Sequence, residues 1–350
     1  MAIILSLIAG VGMLYLDCFN NILQPTPTYT PKEKRVTVSL IKEFGIDRAV
    51  GLYAASDKYF YYTIQEGGTN RGGVGVIDIS DPANPKETFF KDEMGFNRET
   101  SAILIKGNYL YLAGLDVVLF DEIAGTIIDV SDPANLKIAG GFATNGSVDD
   151  IEMVGNCLYV LGKGLTIDDI SDPTNTKLMS RIEDNSIGVN DVFVEDDRAY
   201  ITGRGLAIVD ISDKERPFVI GKIEDDETAM EKQVFVSRDV IYLIKTFFKG
   251  SSRTTLNLFD ASDPKNIKEI KVFDKEYDSL DLYSDKYLFA SHKDGYSFFD
   301  ISDPRNPVLL QDLPNNFTIG TVQGNYIYSI EGNPSNSRNS ILKIYEIKYE

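Results

Sequence analysis

Carboxylates dominate the chemistry this sequence could offer. Asp78-Ile79-Ser80-Asp81-Pro82 returns as Asp129-Val130-Ser131-Asp132-Pro133, Asp169-Ile170-Ser171-Asp172-Pro173 and Asp210-Ile211-Ser212-Asp213. Two more copies follow, Asp260-Ala261-Ser262-Asp263-Pro264 and Asp300-Ile301-Ser302-Asp303-Pro304. Carboxylates at this density could ligate a divalent cation or share acid–base work. A catalytic centre needs one asymmetric constellation, however, and here the same pattern occurs six times. Asp and Ser side chains accept backbone N–H groups in such turns and Pro presets φ, so these aspartates are read as structural turn formers.

A second set of acids is less regular. Asp149-Asp150 and Asn190-Asp191 each head a short apolar run, with Gln233, Ser279 and Thr318 at corresponding places. Two or three carboxylates there could hold Ca²⁺ or Mg²⁺ through oxygen ligands. The plainer alternative is the polar lining of a water-filled channel. His292 is the only histidine, which excludes multi-histidine zinc or copper sites. No nucleophile-elbow motif accompanies it, and Ser291-His292-Lys293-Asp294-Gly295 reads as a polar, solvated turn. Cys157 lies in the apolar run Cys157-Leu158-Tyr159-Val160, where a buried, inert thiol is expected. Cys18 and Cys157 are too distant and dissimilar to build a disulfide framework. No catalytic constellation is visible, and no cofactor beyond a channel cation is expected.

Composition narrows the classes of partner. Lys plus Arg number 35 against 53 Asp plus Glu, a formal net charge of −18. Such a field repels phosphate backbones and anionic membrane surfaces, so no nucleic acid is expected and membrane contact is confined to the N-terminal segment. With 19 Tyr, 19 Phe and no Trp, the aromatic residues favour pleated, half-buried surfaces.

The elements that position these residues emerge from the repeat. Each copy is preceded by a short apolar run with an aromatic at one place: Tyr61, Tyr111, Tyr159, Tyr200, Tyr242, Phe289 and Tyr328. Their spacing averages about 44 residues, the period of a four-stranded propeller blade. In the third unit, 150–154 is the innermost strand, 158–161 and 164–170 the middle ones, and 177–182 the outermost. Gly107-Asn108, Gly155-Asn156, Asp196-Asp197 and Gly324-Asn325 supply hairpin turns that accept positive φ. The last unit, around Ile344-Tyr345-Glu346-Ile347, has no room for an outer strand. Residues 36–44 supply one, closing an all-β, seven-bladed ring and removing its open edge.

Gly205-Leu206-Ala207-Ile208-Val209-Asp210-Ile211-Ser212 and Val74-Gly75-Val76-Ile77-Asp78-Ile79-Ser80 resemble the LVIVD repeat. That resemblance, over residues 35–350, implies a β-propeller of a bacterial or archaeal family whose members are mostly exported or surface-attached, and implies no activity. Lys214 in place of Pro and Ala261 in place of Ile depart from the pattern.

Residues 2–16 are apolar or small without a break, and 24–31 (QPTPTYTP) form a stiff linker. Residues 1–17 therefore read as an export signal or membrane anchor, 18–34 as a linker, and the location as extracytoplasmic. Cys18 stands where a lipidated cysteine would, although Tyr15-Leu16-Asp17 are not the small residues a lipobox needs. From marker aromatic to marker acid the chain runs 17, 18, 10, 10, 18, 11 and 18 residues. The extra length falls between second and third strands of blades 1, 2, 5 and 7, on the end that also carries the blade-to-blade connections. Loops on a rigid scaffold carry binding, so a surface partner is expected there, with Phe247, Phe248, Lys249 and Arg253 among its contacts. The expected role is a non-enzymatic binding or scaffold propeller. A structural cell-envelope component and an enzyme or metal-binding protein using the channel are the alternatives.

Overall fold

The second and third strands of each repeat are almost unbroken apolar runs, which demands that both of their faces be covered. A computed structural model describes residues 35–64, 72–91, 94, 100–114, 123–144, 146–183, 188–203, 205–224, 229–248, 253–332 and 339–349. These residues hold 28 strands in seven four-stranded sheets. After β1 (Val36–Ile46), blade 1 comprises β2 (Val50–Ala55), β3 (Tyr59–Ile64), β4 (Val74–Asp78) and β5 (Lys86–Lys91). Blade 2 is β6 (Thr100–Lys106), β7 (Tyr109–Gly114), β8 (Ile123–Asp129) and β9 (Lys137–Ala143). Blade 3 is β10 (Asp150–Val154), β11 (Cys157–Gly162), β12 (Gly164–Asp169) and β13 (Lys177–Ile182). Blade 4 is β14 (Asp191–Glu195), β15 (Arg198–Gly203), β16 (Gly205–Asp210) and β17 (Phe218–Ile223). Blade 5 is β18 (Ala229–Ser237), β19 (Val240–Phe247), β20 (Arg253–Asp260) and β21 (Lys268–Val272). Blade 6 is β22 (Ser279–Ser284), β23 (Tyr287–His292), β24 (Gly295–Asp300) and β25 (Val308–Pro314). Blade 7 is β26 (Thr321–Gln323), β27 (Tyr326–Gly332) and β28 (Ser340–Tyr349), completed by β1 in the order β1-β28-β27-β26.

Packing proves the ring. Seven apolar clusters each draw on two adjacent blades, so every seam from 1–2 round to 7–1 has its own core. The marker aromatics lie in these seams, none more than 2% exposed. Tyr242 goes further, its hydroxyl donating to the Pro304 carbonyl of the next blade at 2.7 Å. Cys157 is half-buried, not buried, and packs against the seam of blades 3 and 4.

The closing strand imitates the six outer strands it replaces. In each of those blades the register slips by one residue between the third and fourth strands, as at Ile127/Ile128 and Ile208/Val209. The β1–β28 ladder slips at the corresponding place, Leu40/Lys42. Such a bulge increases local twist. The turn that follows each third strand can thereby press on the outer strand of the preceding blade. A Cβ at Gly140 would lie 2.5 Å from the Pro173 carbonyl, and one at Gly221 2.1 Å from that of Pro264.

The repeated aspartates accept backbone amides within their own turns. The first accepts the amide two residues on, as in Ser80 N–H to Asp78 Oδ1 at 2.9 Å and Ser171 N–H to Asp169 Oδ1 at 2.9 Å. The second does likewise, as in Ala83 N–H to Asp81 Oδ1 and Ala134 N–H to Asp132 Oδ1, both 3.1 Å. The Ser80 hydroxyl and amide hold the Asp78 carboxyl below its ordinary range. Gly107, Gly155, Asp196 and Gly324 take positive φ as their turns predict. Blade 5 achieves the same turn with Arg238 (φ 49°) and Asp239 (φ 62°); Asp tolerates this region, but the Arg type does not announce it.

One core position breaks the pattern. Where the other blades place Ile77, Ile128, Val209, Phe259, Phe299 and Tyr345, blade 3 has Asp168, fully buried with neither carboxylate oxygen hydrogen-bonded. Burial pushes this carboxyl up to about 7, and the Ala143 backbone amide and the Arg181 charge offset that only in part. The folded-state value lies above the unfolded one of about 3.9. Its stabilising contribution is therefore complete below that value and is lost as pH rises through about 7. Asp168→Val, which matches the neighbouring repeats, should flatten this decline and add about 1–3 kcal/mol at pH 8; urea unfolding at pH 5 and 8 measures both. Val36, 1% exposed in the seam of blades 6 and 7, tests closure. Val36→Asp should cost roughly 3 kcal/mol or more and raise amide exchange selectively along β1 and β28.

Candidate functional site

The first strands of neighbouring blades touch, which places them innermost, each with one unpaired edge toward the axis. Those edges carry amides that need acceptors. Asp150 Oδ2 accepts the Val192 amide at 3.0 Å, and Asp191 Oδ2 accepts the Val234 amide at 2.7 Å. Gln233 continues the series, accepting the Leu280 amide at 2.8 Å and donating to its carbonyl at 2.9 Å. One position in three successive blades thus bridges to the next blade.

Asp150 and Asp191 also meet each other. Burial together with the Asp191 charge pushes Asp150 well above the carboxylate range. Asp191 is raised too, by burial. Burial, with the Asp191 charge adding to it, takes Glu152 up to about 7, and burial takes Asp281 to about 6 against a hydrogen bond from Ser279. Asp149 is exposed, its amide bonded to the Leu161 carbonyl, and Asn190 donates to the Glu231 carbonyl at 2.7 Å. Thr318 is exposed, and Ser279 shares a 2.7 Å hydrogen bond with Ser291. Among the described residues no group of three or more His, Cys, Asp or Glu side chains could hold a metal ion.

The end of the ring that bears the second-to-third-strand connections is uneven. β11 and β12 are separated by one residue, β15 and β16 likewise, and β23 and β24 by two. In blade 5 the pairing of β19 with β20 runs out to Phe247↔Arg253. There the Arg253 guanidinium lies 5.2 Å from the centre of the Phe247 ring, a cation–π contact. Phe248, 58% exposed, stands beside them. Lys249 lies outside the described residues, as do 65–71, 115–122 and 333–338 in the other long connections.

His292 corrects the sequence reading. It ends β23 and is 8% exposed, not a solvated turn residue, because the neighbouring connection 274–278 covers it. Its Nδ1 accepts the Asp294 amide at 3.2 Å, which leaves the proton on Nε2. That buried N–H has no hydrogen-bond partner; the nearest carboxylate, Asp312 Oδ1, is 3.7 Å away. Burial and the Lys275 charge lower the imidazole pKa, keeping it neutral at pH 7. Asp312 Oδ1 is already occupied by Ser297 Oγ at 2.6 Å and Lys275 Nζ at 2.9 Å. The signal in the sequence was the apolar alternation of Tyr287-Leu288-Phe289-Ala290, which carries the strand two residues further than the polar run suggests.

The LVIVD repeat family model matches residues 54–91, 97–144, 145–184 and 188–225. The fold is similar to the WD40 β-propeller domain of Doa1 (10% identity, TM-score 0.59, covering 89% of this chain and 97% of that one). It is also similar to YCF48 bound to D1 peptide (10%, 0.51, 91% and 97%). A functionally unknown protein from Desulfotomaculum acetoxidans is similar at 12% identity, with a TM-score of 0.51 and coverage of 73% and 82%. At these identities the likeness is one of fold. No curated protein matches the chain.

The Asp150–Asp191 pair makes a pH prediction. Both folded-state values are raised, so the pair's stabilising contribution is complete below about pH 3.9 and is lost as pH rises. Asp150→Asn keeps an acceptor for the Val192 amide and removes one of the two raised carboxyls. It should reduce the fall in melting temperature between pH 4.5 and 8, measured by scanning calorimetry.

Proposed function

We propose that this chain, an LVIVD-repeat protein over residues 54–225, is a non-enzymatic binding or scaffold propeller that works outside the cytoplasm, secreted or membrane-anchored. Its partner is a protein, docked on the uneven end of the ring. The carrying observation is the blade 5 hairpin, where exposed Phe248 adjoins Arg253 stacked on Phe247. Aromatic and arginine side chains on a rigid support are the residues that dominate binding energies. At the opposite end the turn carboxylates are spent on their own backbone amides. The apolar run at 2–16 and the linker at 24–31 support the location. The fold is suited to the role: one of the compared propellers is bound to a peptide.

Crosslinking on intact cells that make the protein, followed by mass spectrometry, tests both parts. Crosslinks should join the uneven end to one partner protein and should fall about tenfold or more in a Phe248→Ala/Arg253→Ala variant of unchanged melting temperature. Crosslinks unaffected by that variant, or confined to the Ser-Asp-Pro end, would overturn the docking surface. Labelling by a membrane-impermeant reagent should reach the protein; failure to label it would overturn the location.

A further inference from the structure

Turn hydroxyls in this ring bond back to the acid two residues before them. In Asp78-Ile79-Ser80 the hydroxyl donates to the acid at 2.6 Å, and in Asp172-Pro173-Thr174 at 2.7 Å. Asn316-Phe317-Thr318, in the connection from β25 to β26, has the same spacing and no such bond. Asn316 and Thr318 are both exposed, and among the described residues neither side chain has a hydrogen-bond partner. The residue between them is anchored. Phe317 is 4% exposed, in the core of the seam between blades 6 and 7. Its ring stacks on Tyr296 with centroids 4.8 Å apart and lies 5.8 Å from that of Tyr345. The Asn316 amide donates to the Pro314 carbonyl at 2.9 Å, a tight turn that leaves the carboxamide and the Thr318 hydroxyl in solvent on either side of the buried ring.

Asn-x-Ser/Thr, with x other than Pro, is the acceptor triplet for N-glycosylation, and the folded protein must hold it on a surface loop to accommodate a saccharide. Two such triplets occur, 316–318 and Asn145-Gly146-Ser147, and Asn145 lies outside the described residues. Asn333-Pro334-Ser335 has Pro at its centre. An Asn placed to form a turn bonds a nearby backbone group with its own side chain, and the Asn316 side chain does not. The order of synthesis also favours the reaction. Phe317 is seated in part by Tyr345 of β28, the last strand made. Until that strand arrives the triplet is not clamped, and its backbone is free to extend into a transferase.

We propose that Asn316 is N-glycosylated. Its Nδ2 attacks the anomeric carbon of an oligosaccharide carried on a polyprenyl phosphate or diphosphate. The bond from Nδ2 to that carbon forms, the bond from that carbon to the phosphate oxygen breaks, the lipid phosphate leaves with the electron pair, and one amide proton is released. Thr318 supplies the hydroxyl by which the host transferase recognises the triplet. The saccharide then stands on the connection between blades 6 and 7, directed away from the seam that Phe317 fills. The inference rests on the extracytoplasmic location proposed above, because such transfer takes place on the exported side of a membrane.

Mass spectrometry tests the site on protein recovered from the cells that make it, after those cells, still intact, have met a membrane-impermeant label. Trypsin releases 306–338, in which 316–318 is the only acceptor triplet. This peptide should carry the added mass of a saccharide, assigned to Asn316 by fragmentation. Asn316→Gln and Thr318→Val should each abolish the modification, whereas Thr318→Ser, which keeps a hydroxyl, should retain it. These substitutions fall on exposed side chains, so an unchanged melting temperature confirms that each variant is folded. An unmodified Asn316, a saccharide that survives Thr318→Val, or one carried by another residue of the peptide would overturn the proposal. The label separates the two readings: unmodified Asn316 in labelled protein leaves the location standing, and unmodified Asn316 in unlabelled protein overturns both.

Discussion

Everything in this molecule depends on two strands per blade that cannot tolerate water on either face. In blade 3, every residue of β11 after Cys157 and of β12 before Asp169 is buried, while the outer strand β13 has no buried residue. A blade alone would expose a double-sided apolar sheet, so each is stable only when clasped between two others. Seven seam cores follow from that need. So does the recruitment of a strand from the far end of the sequence to complete the last sheet.

Polar groups divide into two services around this apolar ring. At one end, Asp and Ser side chains fold each turn onto itself, and the turn then seats against the preceding blade, as where Thr176 Oγ1 donates to the Gly141 carbonyl at 2.7 Å. Near the axis, Asp150, Asp191 and Gln233 carry hydrogen bonds from blade to blade. Carboxylates that look poised for ligands are thereby engaged in assembling the scaffold.

The fold was legible because a periodic sequence reports its own architecture. The marker aromatics fixed the blade count, the Ser-Asp-Pro runs located the turns, and the apolar run at 36–44 announced the closing strand. Side-chain partnerships were not legible. That Asp150 and Asp191 would meet across a seam, or that Lys275 would reach Asp312 in another strand, depends on blade twist, which spacing along the chain does not encode. Asp168 was legible in principle, as an acid at a position apolar in the other six blades, but its missing partners are a property of packing. At Arg238 the hairpin register imposes a positive φ that the residue type does not favour.

The pairing of Val36 with Tyr349 has a consequence for how the chain is made. β1 leaves the ribosome early and its partner last, with some three hundred residues of synthesis in between. During that interval blades can stack on one another, but the ring has no lock, and the apolar face of β1 has nothing to cover it. Closure must wait for the final strand and bear the entropy of joining the two most distant parts of the fold. The nascent protein is therefore most vulnerable to mispairing through β1, and the last ten residues of the propeller decide when that exposure ends.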